Sequence, residues 1–140
     1  MTYHEKSTWV SLISAFVIFG VYFIKAFTVM NNPAVANNTL IIYFIIAVVI
    51  SIVIQIGSQI IFAVKDRKTV EAGLDERDKS IELKVRERAY YVLVFGIWIA
   101  VGTQMFDSQP AIMINVLMLA FVVSEMVAYI SKLIIYRRGY

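Results

Sequence analysis

Four stretches of the chain are apolar with almost no interruption. They run from about Trp9 to Phe27, Leu40 to Val64, Ala89 to Phe106 and Ala111 to Tyr136. A helix rises 1.5 Å per residue, so roughly 20 residues cross the ~30 Å hydrocarbon core of a bilayer. Backbone groups in lipid must bond within their own segment unless a barrel closes. The period-two alternation of barrel strands is absent. The pattern therefore predicts an all-α, integral membrane four-helix bundle in one transmembrane domain covering residues 1–140. The first two spans form one hairpin and the last two another, with "DSQP" (Asp107 to Pro110) as the tight second turn.

Between the hairpins lies a polar band, "GLDERDKSIELKVRERAYYVLVFG", from Gly73 to Gly96. Gly73 suits a helix C-cap after span two, where Lys65, Arg67 and Lys68 meet the negative end of the dipole. Asp75 reads as the next N-cap, with Glu76 and Asp78 in the favourable first turn. Asp75 with Lys79, and Glu82 with Arg86, are acid-first pairs four residues apart. Leu74, Ile81, Val85, Ala89 and Val92 share one face. Span three is thus expected to begin as an amphipathic cytoplasmic helix and to enter the membrane at Ala89 to Tyr91. The charged loop covers about residues 65–88.

Orientation follows from Lys and Arg. The segment "TVMNNPAVANN" after span one has no charge, and the second hairpin turn carries only Asp107. The central loop carries Lys65, Arg67, Lys68, Arg77, Lys79, Lys84, Arg86 and Arg88, and the tail Arg137 and Arg138. Both termini and the central loop are expected to be cytoplasmic. Lys6 with the first apolar run and "AVA" (Ala34 to Ala36) imitates a signal peptide. The run is too long for that role and Lys25 interrupts it, so it is read as a span.

Composition narrows the functions. Of 140 residues, 60% are hydrophobic and only 16% charged, and the mean hydropathy is +0.75. There is no cysteine, which removes disulfides, thiolate metal sites and Cys nucleophiles. The single histidine, His4, sits near one end. The formal charge of +3 comes without the basic, aromatic-interleaved patch of a nucleic-acid binder. No nucleophile–base set, zinc-protease motif or phosphate loop is present. The expectation is a non-enzymatic protein with no metal or cofactor, whose partners are the bilayer, a soluble cytoplasmic regulator and further copies of itself.

Ionisable groups inside a membrane are costly and by default suggest function. Glu125 is the one to single out, about 14 residues or roughly 21 Å into span four. On span two, Ser51, Gln55, Ser58 and Gln59 form a stripe at helical spacing, with the two glutamines near the depth of Glu125. Ser11 and Ser14 on span one and Tyr91 on span three come in at the same level. These groups are expected to converge on a polar pocket. The reading that asks least is inter-helix hydrogen bonding; the sharper one makes Glu125 bind a proton or a cationic substrate. Small multidrug transporters are also four-span chains, but their essential acid lies in the first span, which here has none. Lys25, near the outer end of span one, snorkels outward or pairs with Asp107.

The band "LDERDKSIELKVRERAYYVL" resembles a signature of the DUF2178-like family of small four-span prokaryotic membrane proteins of unknown function. Asp75, Glu76, Arg77, Ile81, Lys84, Ala89 and Tyr90 carry the match, and Val85 replaces the usual small residue. Such proteins often accompany helix-turn-helix regulators, so the resemblance implies a prokaryotic inner membrane and a regulatory or sequestering role. Two functions are carried forward. In the first, the charged hairpin docks a partner through Asp75, Glu76, Arg77, Ile81, Lys84 and Arg88. In the second, the chain is a small proton- or cation-coupled transporter acting through Ser51, Gln55, Ser58, Gln59 and Glu125.

Overall fold

The structure, a computed structural model, describes residues 3–30, 37–65, 76–106 and 109–138. They form four long helices: α1 (Tyr3–Met30), α2 (Asn37–Lys65), α3 (Glu76–Thr103) and α4 (Pro110–Arg138), with a 3-10 turn at Gln104–Phe106 after α3. All four are long and apolar enough to cross a membrane. The charged start of α3 and its apolar remainder are one uninterrupted helix. The expected caps Gly73 and Asp75, and the acid Asp107, lie outside the described residues. Pro110 opens α4, where its missing N–H costs nothing and its fixed φ already suits a helix. The Ile112 amide donates to the Gln109 carbonyl at 2.9 Å to close the first turn.

Helix α4 is the shared member of the assembly, packing against α3 and against α1, while α2 packs against α1. On α1, Ala15, Phe19, Tyr22 and Ala26 recur at helical spacing and are buried with Leu40 and Ala47 of α2 and Val122 of α4. Phe44 sits among rings from two other helices, with centroids 5.9 Å from Phe19, 5.4 Å from Tyr22 and 6.3 Å from Phe121. Such tilted and edge-on contacts suit the quadrupoles of aromatic rings. The Tyr22 hydroxyl reaches α4, 3.3 Å from Asn115 Oδ1 and 2.9 Å from Met118 Sδ. Asn115 in turn donates to the Ala111 carbonyl at 2.9 Å, which fixes its side chain.

Helices α3 and α4 meet through small residues instead of aromatics. A Cβ placed on Gly96 would collide with the Ala120 Cβ and lie 3.2 Å from its Cα. Ala100, one turn beyond Gly96, and Ala120 and Ser124 on α4 are all buried. Small side chains let two backbones approach closely where the surroundings are as oily as the interface and packing must supply the attraction. Meanwhile large apolar side chains cover the outside: Phe16, Ile24, Val53, Ile61, Phe95 and Trp98 are all exposed. Water would penalise that surface, whereas it is compatible with lipid contact.

One end of the bundle gathers its polar contacts. Lys132 pairs with Glu82 at 3.5 Å, and Arg137 with Glu5 at 3.4 Å. The Arg137 guanidinium also lies 5.6 Å from the centroid of the Trp9 ring, and the Tyr136 hydroxyl donates to Asp78 at 3.0 Å. The start of α1, the start of α3 and the end of α4 therefore share this end.

Substituting Gly96→Val is expected to lower stability by about 1–3 kcal/mol, the usual cost of overpacking. Gly20→Ala, where nothing lies within 4 Å of the added Cβ, is expected to be neutral or slightly stabilising because alanine favours helix. Thermal unfolding of both variants in detergent micelles checks the contrast; equal midpoints would contradict the close approach.

Candidate functional site

The site is built on the middle of α4. Phe121, Glu125 and Tyr129 recur four residues apart, so they stack along one face. This face meets Val48, Ser51, Ile52 and Gln55 of α2 and Ala15 and Phe19 of α1 around a cavity of about 190 Å³. Space of that size, with polar groups on its wall, admits several waters.

The polar groups are connected, and one is left over. The Tyr129 hydroxyl lies near the Glu125 carboxylate one helical turn away and near the Gln55 amide of α2. Tyr129 thus joins the only acid in the middle of α4 to a second helix. Ser51 lies one turn from Gln55, is only 4% exposed, and its Oγ has no hydrogen-bond partner. A buried hydroxyl without a partner costs about 1–3 kcal/mol, so its place on the wall of a cavity calls for an occupant. A cation would satisfy the carboxylate, the amide oxygen and both hydroxyls together, because all can present oxygen.

Glu125 and Tyr129 also face a second space. It measures about 260 Å³ and is lined by Glu82, Val85, Arg86 and Ala89 of α3 with Ala128 and Lys132 of α4. The Lys132–Glu82 ion pair stands on this wall. The two spaces share the Glu125–Tyr129 pair, placing the carboxylate between the inner cavity and the charged end of the bundle.

The expected polar stripe is only partly assembled. Ser51, Gln55 and Glu125 come together. Ser58 instead donates to the Gln55 carbonyl at 2.9 Å, within its own helix, and Gln59 is exposed; neither lines the cavity. Ser14 is likewise bonded within its helix, to the Ser11 carbonyl at 3.1 Å. Tyr91 is exposed and away from the cavity. Tyr129, which links the acid to α2, was not foreseen; a tyrosine one turn after an intrahelical acid was the available signal. Among the described residues no group of three or more His, Asp or Glu could hold a metal by itself.

On the charged part of α3, Glu76, Arg77, Lys84 and Arg88 are exposed, and Asp75 lies outside the described residues. Ile81 is not available as an anchor for a partner. It is buried at 4% exposure with Val85, on the stretch that Asp78 and Glu82 tie to α4. Of the stripe expected from the sequence, Ile81 and Val85 are covered within the bundle, and Leu74 lies outside the described residues. Within the described residues 76–88 the exposed large apolar side chain is Leu83, among the exposed Lys79, Arg86 and Glu87.

Compared with models of known protein families, with curated proteins and with solved structures, the chain finds no match.

Two substitutions separate the cavity's polar groups. Ser51→Ala removes an unpartnered hydroxyl and is expected to leave stability unchanged or to raise it by up to about 1 kcal/mol. Tyr129→Phe strips a partner from Glu125 and Gln55 and is expected to cost about 1–2 kcal/mol. Chemical denaturation in micelles without added cation reads both; a Ser51→Ala loss larger than that of Tyr129→Phe would contradict this geometry.

Proposed function

We propose that the chain is a multi-pass membrane protein that carries a proton or a small cation through a carboxylate site at Glu125, as a small transporter or the membrane part of one. The observation that carries this reading is the convergence of Glu125, Tyr129, Gln55 and Ser51, whose hydroxyl is unpartnered among the described residues, on one cavity of the bundle. Four spans with cytoplasmic termini agree with it, the orientation resting on the concentration of Lys and Arg between α2 and α3 and at the tail. A cytoplasmic ion would approach past Arg86 and Lys132. Those two cations disfavour a free cation there, while the adjacent acid Glu82 offsets them. A proton, which moves along water and hydroxyl groups, is therefore the preferred cargo.

The spacing of the groups gives each a role. Glu125 takes and releases the proton. Tyr129 orients the carboxylate, and its hydroxyl links the carboxylate to the Gln55 amide. Ser51 supplies the hydroxyl that the cargo, or the water carrying it, completes.

Docking of a soluble regulator is the second reading, favoured by the exposed Leu83 amid mixed charge and consistent with the resemblance to the DUF2178-like group. Its surface is then centred on Leu83 with Lys79, Arg86 and Glu87. Arg77, Lys84 and Arg88 lie on a flank of the same helix.

Proton flux into proteoliposomes under an imposed potassium diffusion potential tests the first reading. The native chain is expected to acidify the lumen, and Glu125→Gln to fall to the rate of protein-free vesicles. A variant with the charges of residues 76–88 rearranged is expected to conduct as the native chain does. Silence of Glu125→Gln, with loss of function on rearranging the charges, would move the function to the cytoplasmic surface.

A further inference from the structure

Away from the Glu125 cavity, α1 and α2 enclose a groove of about 340 Å³ lined by Val17, Val21, Ile46 and Ile50 and ending at Lys25 and Tyr43. The Lys25 ammonium lies 5.9 Å from the centroid of the Tyr43 ring, which holds the cation at the mouth of the groove. Lys25 is exposed, and among the described residues no carboxylate forms an ion pair with it. From Val17 to Lys25 the helix advances about 12 Å, so the apolar part spans much of the length of one acyl chain. We propose that this groove binds an anionic phospholipid, with one acyl chain between the two helices and the phosphate on Lys25.

The walls and the mouth make different demands. Val17, Val21, Ile46 and Ile50 are branched and stiff, presenting an oily channel with no polar group to satisfy. The ammonium is a compact point charge that calls for an anion. A phosphatidylcholine phosphate is already neutralised by its own choline, whereas a phosphatidylglycerol phosphate is not. The Tyr43 hydroxyl adds a donor at the level of the headgroup, where tyrosines concentrate in membrane proteins. The site depends on neither Glu125 nor the charged part of α3.

Native mass spectrometry of the full chain, released from vesicles of equal phosphatidylglycerol and phosphatidylcholine, tests the site. The native chain is expected to retain phosphatidylglycerol about five-fold more than phosphatidylcholine, the ratio that one interfacial Lys supplies. Lys25→Ala is expected to remove the preference and Lys25→Arg to keep it. Val21→Trp, which fills an exposed wall of the groove, is expected to lower retention of both lipids. Equal retention by the native chain, or an unchanged preference in Lys25→Ala, would overturn the proposal. So would displacement of the lipid by millimolar inorganic phosphate, or a lipid-free dimer that Val21→Trp abolishes.

Discussion

A carboxyl group carried to the middle of an apolar helix must be solvated by protein, by water that protein holds in place, or by a cargo. Much of the arrangement around Glu125 follows from that demand. Tyr129 lies one turn along the same helix, where its hydroxyl can reach the carboxylate, and Gln55 completes the link from α2. For both to serve, α2 and α4 have to converge across α1, and the aromatic cluster of Phe19, Tyr22, Phe44 and Phe121 fills the space beside the polar groups. Packing and polarity are thus solved together on α4, against which α1 and α3 each pack in their own way.

The two interfaces of α4 differ in kind. Toward α1 it uses large rings and the Tyr22–Asn115 hydrogen bond, which tolerate a wider separation. Toward α3 it uses Gly96 against Ala120, an approach so close that a single methyl group is too much. The close side leads at one end to the ion pair of Lys132 with Glu82 and the bond from Tyr136 to Asp78. The charged start of α3 is therefore anchored to the end of α4. It is a built extension of the bundle, and its anchoring places Glu82 and Arg86 on the space that leads to Glu125.

Much of this was legible in the chain. The four helices follow from length and hydropathy, because apolar runs of this size leave little choice of structure. The shared depth of Gln55 and Glu125 follows from counting residues inward from each end, since a straight helix turns sequence distance into depth. Other features were out of reach for physical reasons. A stripe such as Ile81 and Val85 announces that it will be covered, but not by what; α4 takes the place that a partner seemed to hold. Ser58 and Gln59 share the stripe with Ser51 and Gln55, yet only the latter two face the cavity. Small rotations of α2 relative to its neighbours decide this, and residue spacing does not encode them. Gly96 and Ala100, a small pair four apart, did carry the signal of close packing in the sequence. The unpartnered Ser51 could emerge only from the fold.

The central claim is that the space beside Glu125 is a water-containing site within the bundle and not a gap filled by lipid. The chain has no cysteine, so single substitutions report cleanly. Ser51 is buried on the cavity wall, while Val53, two residues along α2, is exposed on the outside and absent from that wall. The decisive measurement is the reaction rate of Ser51→Cys and Val53→Cys with a water-soluble methanethiosulfonate reagent in liposomes, because only a hydrated thiol ionises and reacts. The account predicts that Ser51→Cys is modified while Val53→Cys stays inert; equal rates, or protection of Ser51→Cys alone, would contradict it.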